Sequence, residues 1–216
     1  ALSYLILSAV SAAAAPLLSP YHPLHISPGD RFLPPGGQHP AGTDLFGRDL
    51  ATRLLFGARL SLGIGATAVV ISSLPGTVLG LLAGYYGRWV DRIISWWVDV
   101  MLAFPSILLA LAIVVSIGHG LFNVMIAVGI VSIPTYARIV RASVLSESQR
   151  DYVEASRALG AGRPRLLFRH VLPNCLGPVL VSATFGIAGA ILTESGIAFL
   201  GLGDQTAVSW GQMLTT

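Results

Sequence analysis

The residue types that carry most enzymatic and metal chemistry are sparse in this sequence. His22, His25 and His39 fall in a proline-rich stretch without cysteines or clustered carboxylates, and loop histidines of this kind are more typical of solvated side chains than of a metal site. Cys175 is the single cysteine, so it can form neither an internal disulfide nor a cysteine cluster. All 13 basic residues are arginine, and without a lysine the chain cannot hold a nucleotide-binding P-loop. We therefore predict no catalytic residue, metal or cofactor in this chain, and any ATP chemistry has to lie on another polypeptide.

The most charged segment is residues 151–173, which separates two apolar stretches. The pattern predicts a helix from Arg150 to Leu159. Gly160 then suits a left-handed C-cap, and Pro164 suits the first turn of a second helix. The segment is thus predicted to be a helix, a hard turn and a helix.

The first of these two helices has two different sides. Its small and apolar side carries Tyr152, Ala155, Ser156 and Leu159, and its charged side carries Arg150, Asp151, Glu154 and Arg157. Arg150 and Glu154 are spaced to form an i,i+4 ion pair. Links between neighbouring helices usually run about 2 to 8 residues, so a longer, helix-rich link favours a docking surface for another protein over an ordinary loop.

Two further carboxylates, Asp99 and Glu194, lie in otherwise apolar stretches. A charge at the centre of a bilayer costs about 3 kcal/mol on insertion scales, so Asp99 is expected near the headgroups. We interpret Asp99 as an ion-pair or cap residue, with a proton relay as the alternative. Glu194 is a candidate for lining a gate or a transport pathway, with a plain interfacial carboxylate as the alternative.

These side chains must be positioned by membrane helices. Hydrophobic residues make up 54% of the sequence and charged residues 11%, against roughly 25% charged in an average soluble domain. No charged residue lies between Arg59 and Arg88, a run longer than the roughly 20 residues needed to cross a bilayer. The chain is predicted to be an all-α, multi-pass membrane protein, and its formal charge of +3 favours anionic lipid over nucleic acid.

One transmembrane domain is predicted over residues 1–216, with five spans of which the first is partial. In order, the predicted segments are the end of a first span (1–15), an outer loop (16–42), an interfacial helix (43–59), spans at 60–87, 93–117 and 121–141, a cytoplasmic loop (142–172), a span at 173–194 and an outer segment (195–216). The stretch 1–15 also fits the apolar core of a signal peptide. The interfacial helix, for which Thr43 is the candidate cap, has two open interpretations, a lever leading into the next span and a simple anchor.

Arginine positions predict the orientation. If residues 142–172 are cytoplasmic, nine arginines lie on the inner side, at positions 88, 92, 138, 141, 150, 157, 163, 165 and 169, and four lie outside, at positions 31, 48, 53 and 59. The positive-inside rule favours this arrangement.

Several motifs in order resemble one protein family. Glu154-Ala155-Ser156, Gly160 and Leu172-Pro173 are similar to the EAA loop of permease subunits in bacterial ATP-binding-cassette (ABC) importers, with Ser156 replacing the second alanine and His170 replacing an isoleucine. The resemblance is to the dipeptide, oligopeptide and nickel permease branch, and it covers about Gly42 to Leu214. Further matching motifs are Gly42-Thr43-Asp44, Gly57-Ala58-Arg59-Leu60-Ser61-Leu62, Ala103-Phe104-Pro105, Tyr136-Ala137-Arg138, Phe199-Leu200-Gly201-Leu202-Gly203 and Ser209-Trp210-Gly211.

This resemblance implies a type I ABC importer permease fold with six helices, set in the bacterial inner membrane. It implies a second homologous permease subunit, two ATPase subunits that bind ATP and magnesium, and an extracytoplasmic substrate-binding protein. The residues to which it assigns contact with the ATPase are Asp151, Glu154, Ala155, Ser156 and Gly160. Di- and oligopeptides, glutathione and nickel complexes remain open as substrates.

A self-contained secondary transporter or channel is the alternative function. That class needs ionisable residues deep in the spans or broken helices that carry an ion site. Asp99 and Glu194 are the candidates for such a role, and both lie near predicted helix ends.

Overall fold

The protein is described from a computed structural model, in which residues 10–12, 14–204 and 206–214 are described. Within these ranges the chain is helical and forms no strand; a single antiparallel bridge joins Thr43 and Asp49. The helices are α1 (Ala15–Leu18), α2 (Leu50–Tyr86), α3 (Arg88–Ala103), α4 (Ser106–Ile117), α5 (Leu121–Glu147), α6 (Asp151–Ala158), α7 (Arg163–Phe199) and α8 (Trp210–Met213). The all-α membrane class predicted from the sequence is confirmed.

Helix α2 lies at the centre of the bundle and packs against both α5 and α7. Its 37 residues give about 55 Å of helix, and the helix continues through Pro75. Gly76, Gly80 and Gly84 recur every fourth residue on the side that faces α5. A methyl group added at Gly80 would stand 2.6 Å from both the Ala137 carbonyl oxygen and the Val140 Cβ atom. These glycines therefore allow two helix backbones to approach closely, as small residues do in membrane helix pairs.

From Leu50 onward, the predicted interfacial helix and the predicted span at 60–87 form one continuous helix, Leu50–Tyr86. Thr43 is not the cap, because its hydroxyl accepts the Leu33 N–H at 2.8 Å and donates to the Asp30 carbonyl. The cap is Asp49, whose Oδ2 accepts the Thr52 N–H at 2.7 Å. Residues 43–49 belong instead to the folded loop that precedes α2.

The predicted span at 93–117 is broken into α3 and α4, which meet at an angle of 93°. Phe104 has φ −91° and ψ 140°, the extended conformation that a following proline imposes on its neighbour. Pro105 also lacks the N–H that would continue the helix. Pro105 is visible in the sequence, but the sequence did not predict that the chain would change direction by 93° there.

Helices α5 and α7 extend beyond the predicted boundaries. Helix α5 runs to Glu147 and α7 begins at Arg163, so the link that carries α6 is shorter than the predicted range 142–172. Helix α7 passes through a π-helical turn at Leu166–Val171 and continues to Phe199, past the predicted end at Glu194.

Three helices of the described chain, α2, α5 and α7, are long and apolar enough to cross a membrane, and the bent pair of α3 and α4 adds a fourth crossing if it counts as one. The partial first span predicted at 1–15 falls largely outside the described residues.

The bundle has two distinct ends. At one end, which we call the α6 end, the Tyr85 hydroxyl near the end of α2 donates to the Arg163 carbonyl at the start of α7, at 3.2 Å. At the other, the α8 end, the Trp210 indole N–H donates to the Leu54 carbonyl near the start of α2, also at 3.2 Å. Under the arginine-based orientation, the α6 end is cytoplasmic.

Candidate functional site

Helix α6 brings together the predicted docking residues on one projecting element. Val153 anchors it, with no exposed surface, by packing into a core cluster that includes Val144, Leu166 and Val171. Asp151, Glu154 and Ala155 are exposed, and Ser156 is half-buried while its hydroxyl donates to the Tyr152 carbonyl at 2.8 Å. The buried Val153 therefore anchors the helix while most of its remaining surface stays open to another molecule.

The turn after α6 ends the helix abruptly and displays an apolar side chain. Gly160 has φ +85°, the left-handed conformation predicted for it, which a residue with a Cβ adopts only with strain. Leu159, immediately before it, is 90% exposed. The Ala161 N–H donates back to the Ser156 carbonyl at 3.1 Å, so the turn is fixed by a hydrogen bond of the kind that terminates helices.

The base of α6 is held by Glu147 and Tyr152. The Tyr152 hydroxyl donates to Glu147 Oε2 at 2.8 Å and accepts from Asn174 Nδ2 at 3.0 Å. Partial burial, together with the Glu147 carboxylate, raises the pKa of the Tyr152 phenol. The predicted pair of Arg150 with Glu154 was wrong, because Arg150 Nε binds Glu147 Oε1 at 3.0 Å. Arg150 precedes the helix in an extended conformation, so the i,i+4 spacing on a helix does not apply to it.

Asp99 lies on α3 in an ion pair with Arg138 of α5. Arg138 Nη2 stands 2.7 Å from Asp99 Oδ1, and both side chains are more than half exposed. Two turns earlier on α3, Asp91 Oδ2 accepts from Arg141 Nη2 at 2.7 Å, and Asp91 Oδ1 accepts from Arg141 Nε. The two pairs join α3 to α5 near the α6 end. The ion-pair interpretation of Asp99 therefore agrees with the structure.

A groove of about 400 Å³ lies between the α3–α4 bend, α5 and α7. Its lining includes no charged residue but six hydroxyl side chains, namely Ser106, Ser132, Thr135, Tyr136, Ser182 and Thr193. The Tyr136 hydroxyl donates to the Ser182 carbonyl at 3.4 Å and so links α5 to α7.

Sequence reasoning did not single out this groove. A signal was present, since Ser182, Gly186, Gly189 and Thr193 recur at helical spacing along one side of α7. Small residues in a membrane helix are, however, equally typical of helix packing.

Glu194 lies far from Asp99, at the α8 end, where it is 4% exposed. Its Oε1 accepts from the Ser209 hydroxyl at 2.7 Å, and its Oε2 is buried with no hydrogen-bond partner among the described residues. The Trp210 N–H donates to the Ser61 hydroxyl at 3.1 Å, so the segment leading into α8 is fixed to both α2 and α7. The two carboxylates predicted as gate or pathway candidates are thus not brought together.

The loop before α2 is ordered by buried charges. Asp44 Oδ2 binds Arg48 Nε at 2.7 Å and also Arg53 Nη1, while the Asp49 carboxylate binds His39 Nδ1 at 2.9 Å. Burial opposes ionisation of Asp44 and Asp49, but hydrogen bonds, chiefly from Arg48 and Thr52 respectively, lower the pKa of each below its ordinary value. His39 also stacks on Tyr21, which gives this histidine a structural role.

Comparison with known proteins places this arrangement among transport proteins. Residues 76–216 match the family described as binding-protein-dependent transport system inner membrane component. Over 202 residues the chain is 48% identical to the dipeptide transport system permease protein DppC of Alkalihalophilus pseudofirmus, covering 93% of this chain and 66% of that protein. It is 48% identical over 222 residues to the di/tripeptide transport system permease protein DppC of Pseudomonas aeruginosa, covering 100% and 73%. It is 45% identical over 181 residues to the glutathione transport system permease protein GsiD of Pectobacterium atrosepticum, covering 83% and 60%.

A solved structure shares the fold. The MetNI methionine ABC transporter in inward facing conformations superposes with a TM-score of 0.60 at 24% identity, covering 74% of this chain and 77% of the matched chain. The chain spans between 60% and 73% of the length of the three relatives named above.

Proposed function

Because the chain belongs to the family of binding-protein-dependent transport system inner membrane components, we propose that it is the pore-forming subunit of an ATP-driven importer of di- or oligopeptides. The family and the long apolar helices make it a multi-pass protein of the cytoplasmic membrane. Relatives named for dipeptides, di/tripeptides and glutathione support a peptide substrate over a related small solute such as a nickel complex.

The importer requires partner chains. Without a lysine the chain has no P-loop of its own, so ATP hydrolysis lies on separate ATPase subunits. We infer two such subunits, a second homologous permease subunit that completes the pore, and a binding protein that delivers substrate at the α8 end. The open groove supports a second pore chain, because a groove within one chain needs another wall to become a channel.

The observation that carries the proposal is the form of α6, a short helix that is anchored by the buried Val153 and by hydrogen bonds of Tyr152 and is otherwise mostly exposed. We call Asp151, Glu154, Ala155, Ser156 and Gly160 the coupling surface. An ATPase subunit that binds this surface and moves on binding ATP would displace α6, and α6 would displace the ends of α5 and α7 that pack around Val153. This is a rigid-body transition in which a ligand on one chain biases the two states of another.

The groove is the candidate translocation surface. Non-helical backbone at membrane depth is tolerated only where it is buried or lines a water-filled cavity, and Leu102 and Ser106, which flank the α3–α4 bend, both line this groove. Its hydroxyl groups offer hydrogen bonds without a fixed charge. That chemistry suits peptides of varied sequence, because a charged wall would hold oppositely charged side chains too tightly for release.

Glu194 is proposed as a fixed part of the outer gate. Its contact with Ser209 ties the end of α7 to the segment that leads into α8, so an opening of the α8 end has to move both together. Asp99 is proposed to stabilise the closed packing of α3 on α5 through Arg138 and not to contact the substrate, since it is absent from the groove lining.

The test is transport by the reconstituted complex carrying Glu154→Arg or Gly160→Pro. Each variant should lower uptake of a labelled dipeptide tenfold or more relative to the ATPase rate, while the complex still assembles. Arg165→Glu is the matched control, because it reverses an exposed charge at the α6 end outside the coupling surface. Normal coupled uptake by both coupling-surface variants would refute the proposal, as would ion-driven transport by the purified chain without any ATPase subunit.

A further inference from the structure

A second cavity, separate from the groove, opens at the α6 end. It has a volume of about 420 Å³ and lies between the end of α2, the turn after α5 and the start of α7. Its walls are fixed by contacts described above, namely the Tyr85–Arg163 hydrogen bond and the turn at Gly160. The cavity is therefore a feature of the packed helices and not a gap beside a loose chain.

The charges around this cavity are of one sign. Arg157 and Arg163 line it, and no carboxylate is among its lining residues. Among the described residues, neither guanidinium has an ion pair or a hydrogen bond. The nearest acidic group in sequence to the cavity-lining Ser148, Glu147, is already bound by Arg150 and Tyr152. Two arginines thus line a cavity to which the described residues contribute no carboxylate.

A polar atom within the same cavity also lacks a partner. The Ser148 hydroxyl oxygen is buried and has no hydrogen-bond partner among the described residues. An unmade hydrogen bond at a buried group carries a penalty of about 1–3 kcal/mol. Rotation of this hydroxyl toward the cavity would let a ligand with acceptor oxygens satisfy it while binding the two guanidinium groups.

We propose that this cavity binds a phosphate group through Arg157, Arg163 and Ser148. Guanidinium groups bind phosphate through paired charge-assisted hydrogen bonds. The phosphate can come from the headgroup of an anionic lipid, which the inner leaflet supplies beside a helix end, or from a free phosphate compound in the cytoplasm. Because Arg157 is on α6 while Arg163 begins α7, the bound phosphate group would fix α6 to the rest of the bundle. This site does not depend on which solute is transported.

The experiment measures thermal unfolding of the complete purified complex in an uncharged detergent. Inorganic phosphate and short-chain phosphatidylglycerol are titrated separately, with chloride and short-chain phosphatidylcholine as their controls at equal ionic strength. Arg157→Gln and Arg163→Gln should each weaken the stabilising ligand about tenfold or more, because hydrogen bonds to charged groups contribute one to two decades of affinity. Arg165→Gln is the matched control, since Arg165 is exposed two residues away and does not line the cavity.

The two titrations distinguish the source of the phosphate. Stabilisation by both ligands indicates a site for free phosphate as well as lipid, and stabilisation by the lipid alone indicates a headgroup site. Either result supports the proposal if the stabilisation is lost in Arg157→Gln and Arg163→Gln and kept in Arg165→Gln. The absence of any specific stabilisation overturns it, including the case in which an acidic side chain of an ATPase subunit fills the cavity. An equal loss in Arg165→Gln overturns it as well, because binding would then reflect general surface charge.

Discussion

Replacing Gly80 by alanine should destabilise the bundle, although alanine is the better helix former. In the structure the added methyl group would stand 2.6 Å from the Ala137 carbonyl oxygen and 2.9 Å from the Arg141 backbone nitrogen. Backbone atoms cannot rotate away, so α2 and α5 would have to separate. Overpacking of this kind typically costs about 1–3 kcal/mol.

Gly63 on the same helix is the matched control, since no atom lies within 4 Å of the position where its Cβ would be. Both substitutions gain the same helix propensity, about 1 kcal/mol in water-soluble hosts. The difference between the two variants therefore isolates the steric cost, about 1–3 kcal/mol. The assay is unfolding of the complex in mixed micelles with increasing dodecyl sulfate. Equal unfolding midpoints for Gly80→Ala and Gly63→Ala would refute the argument that α2 and α5 pack backbone to backbone.

Three further predictions concern the charged contacts. Acid should loosen the loop before α2, because folding lowers the pKa values of Asp44 and Asp49. Their stabilisation is therefore complete above the unfolded value of about 3.9 and is lost as the pH falls through the folded values. Protection of residues 28–49 against hydrogen exchange, relative to the intrinsic exchange rate at each pH, should fall in that window, and unchanged protection would contradict the assignment. Asp49→Ala removes the α2 cap and should lower the free energy of unfolding by about 1 kcal/mol. Backbone amides in the first turn of α2 should then exchange hydrogen faster, whereas Asp30→Ala should leave their exchange unchanged. Arg138→Gln should change the midpoint of thermal unfolding little, since exposed ion pairs contribute about 0–1 kcal/mol. Arg141→Gln breaks two hydrogen bonds to the less exposed Asp91 and should lower that midpoint further. The reverse order would show that burial does not set the strength of these pairs.

Local patterns predicted the all-α class and the turn at Gly160, because helix propensity, a left-handed glycine and a proline in the next first turn act within a few residues. The sequence did not reveal where helices begin or where one helix breaks into two. Helix α2 begins at Leu50 because Asp49 caps it there, and the position of Asp49 depends on the folded loop that holds it in place. The α3–α4 bend was hidden for a related reason, since Pro75 and Pro134 lie within continuous helices while Pro105 ends one. Whether a proline bends or breaks a helix depends on what the neighbouring helices can accept.

The positions of the coupling surface and the groove show how movement of one reaches the other. Val153 of α6 belongs to the same core cluster as Val140 and Val144 of α5 and as Tyr136. Tyr136 also lines the groove, and its hydroxyl binds α7 through the Ser182 carbonyl. A packed core is not continuously deformable, so displacement of Val153 cannot be absorbed locally. We expect α5 and α7 to shift together, and the 3.4 Å hydrogen bond between the Tyr136 hydroxyl and the Ser182 carbonyl to change with them. Tyr136→Phe removes that hydroxyl, and it should alter uptake per ATP hydrolysed in reconstituted complexes while leaving binding of the ATPase at α6 intact. Loss of ATPase binding in that variant would place Tyr136 in the structural core alone.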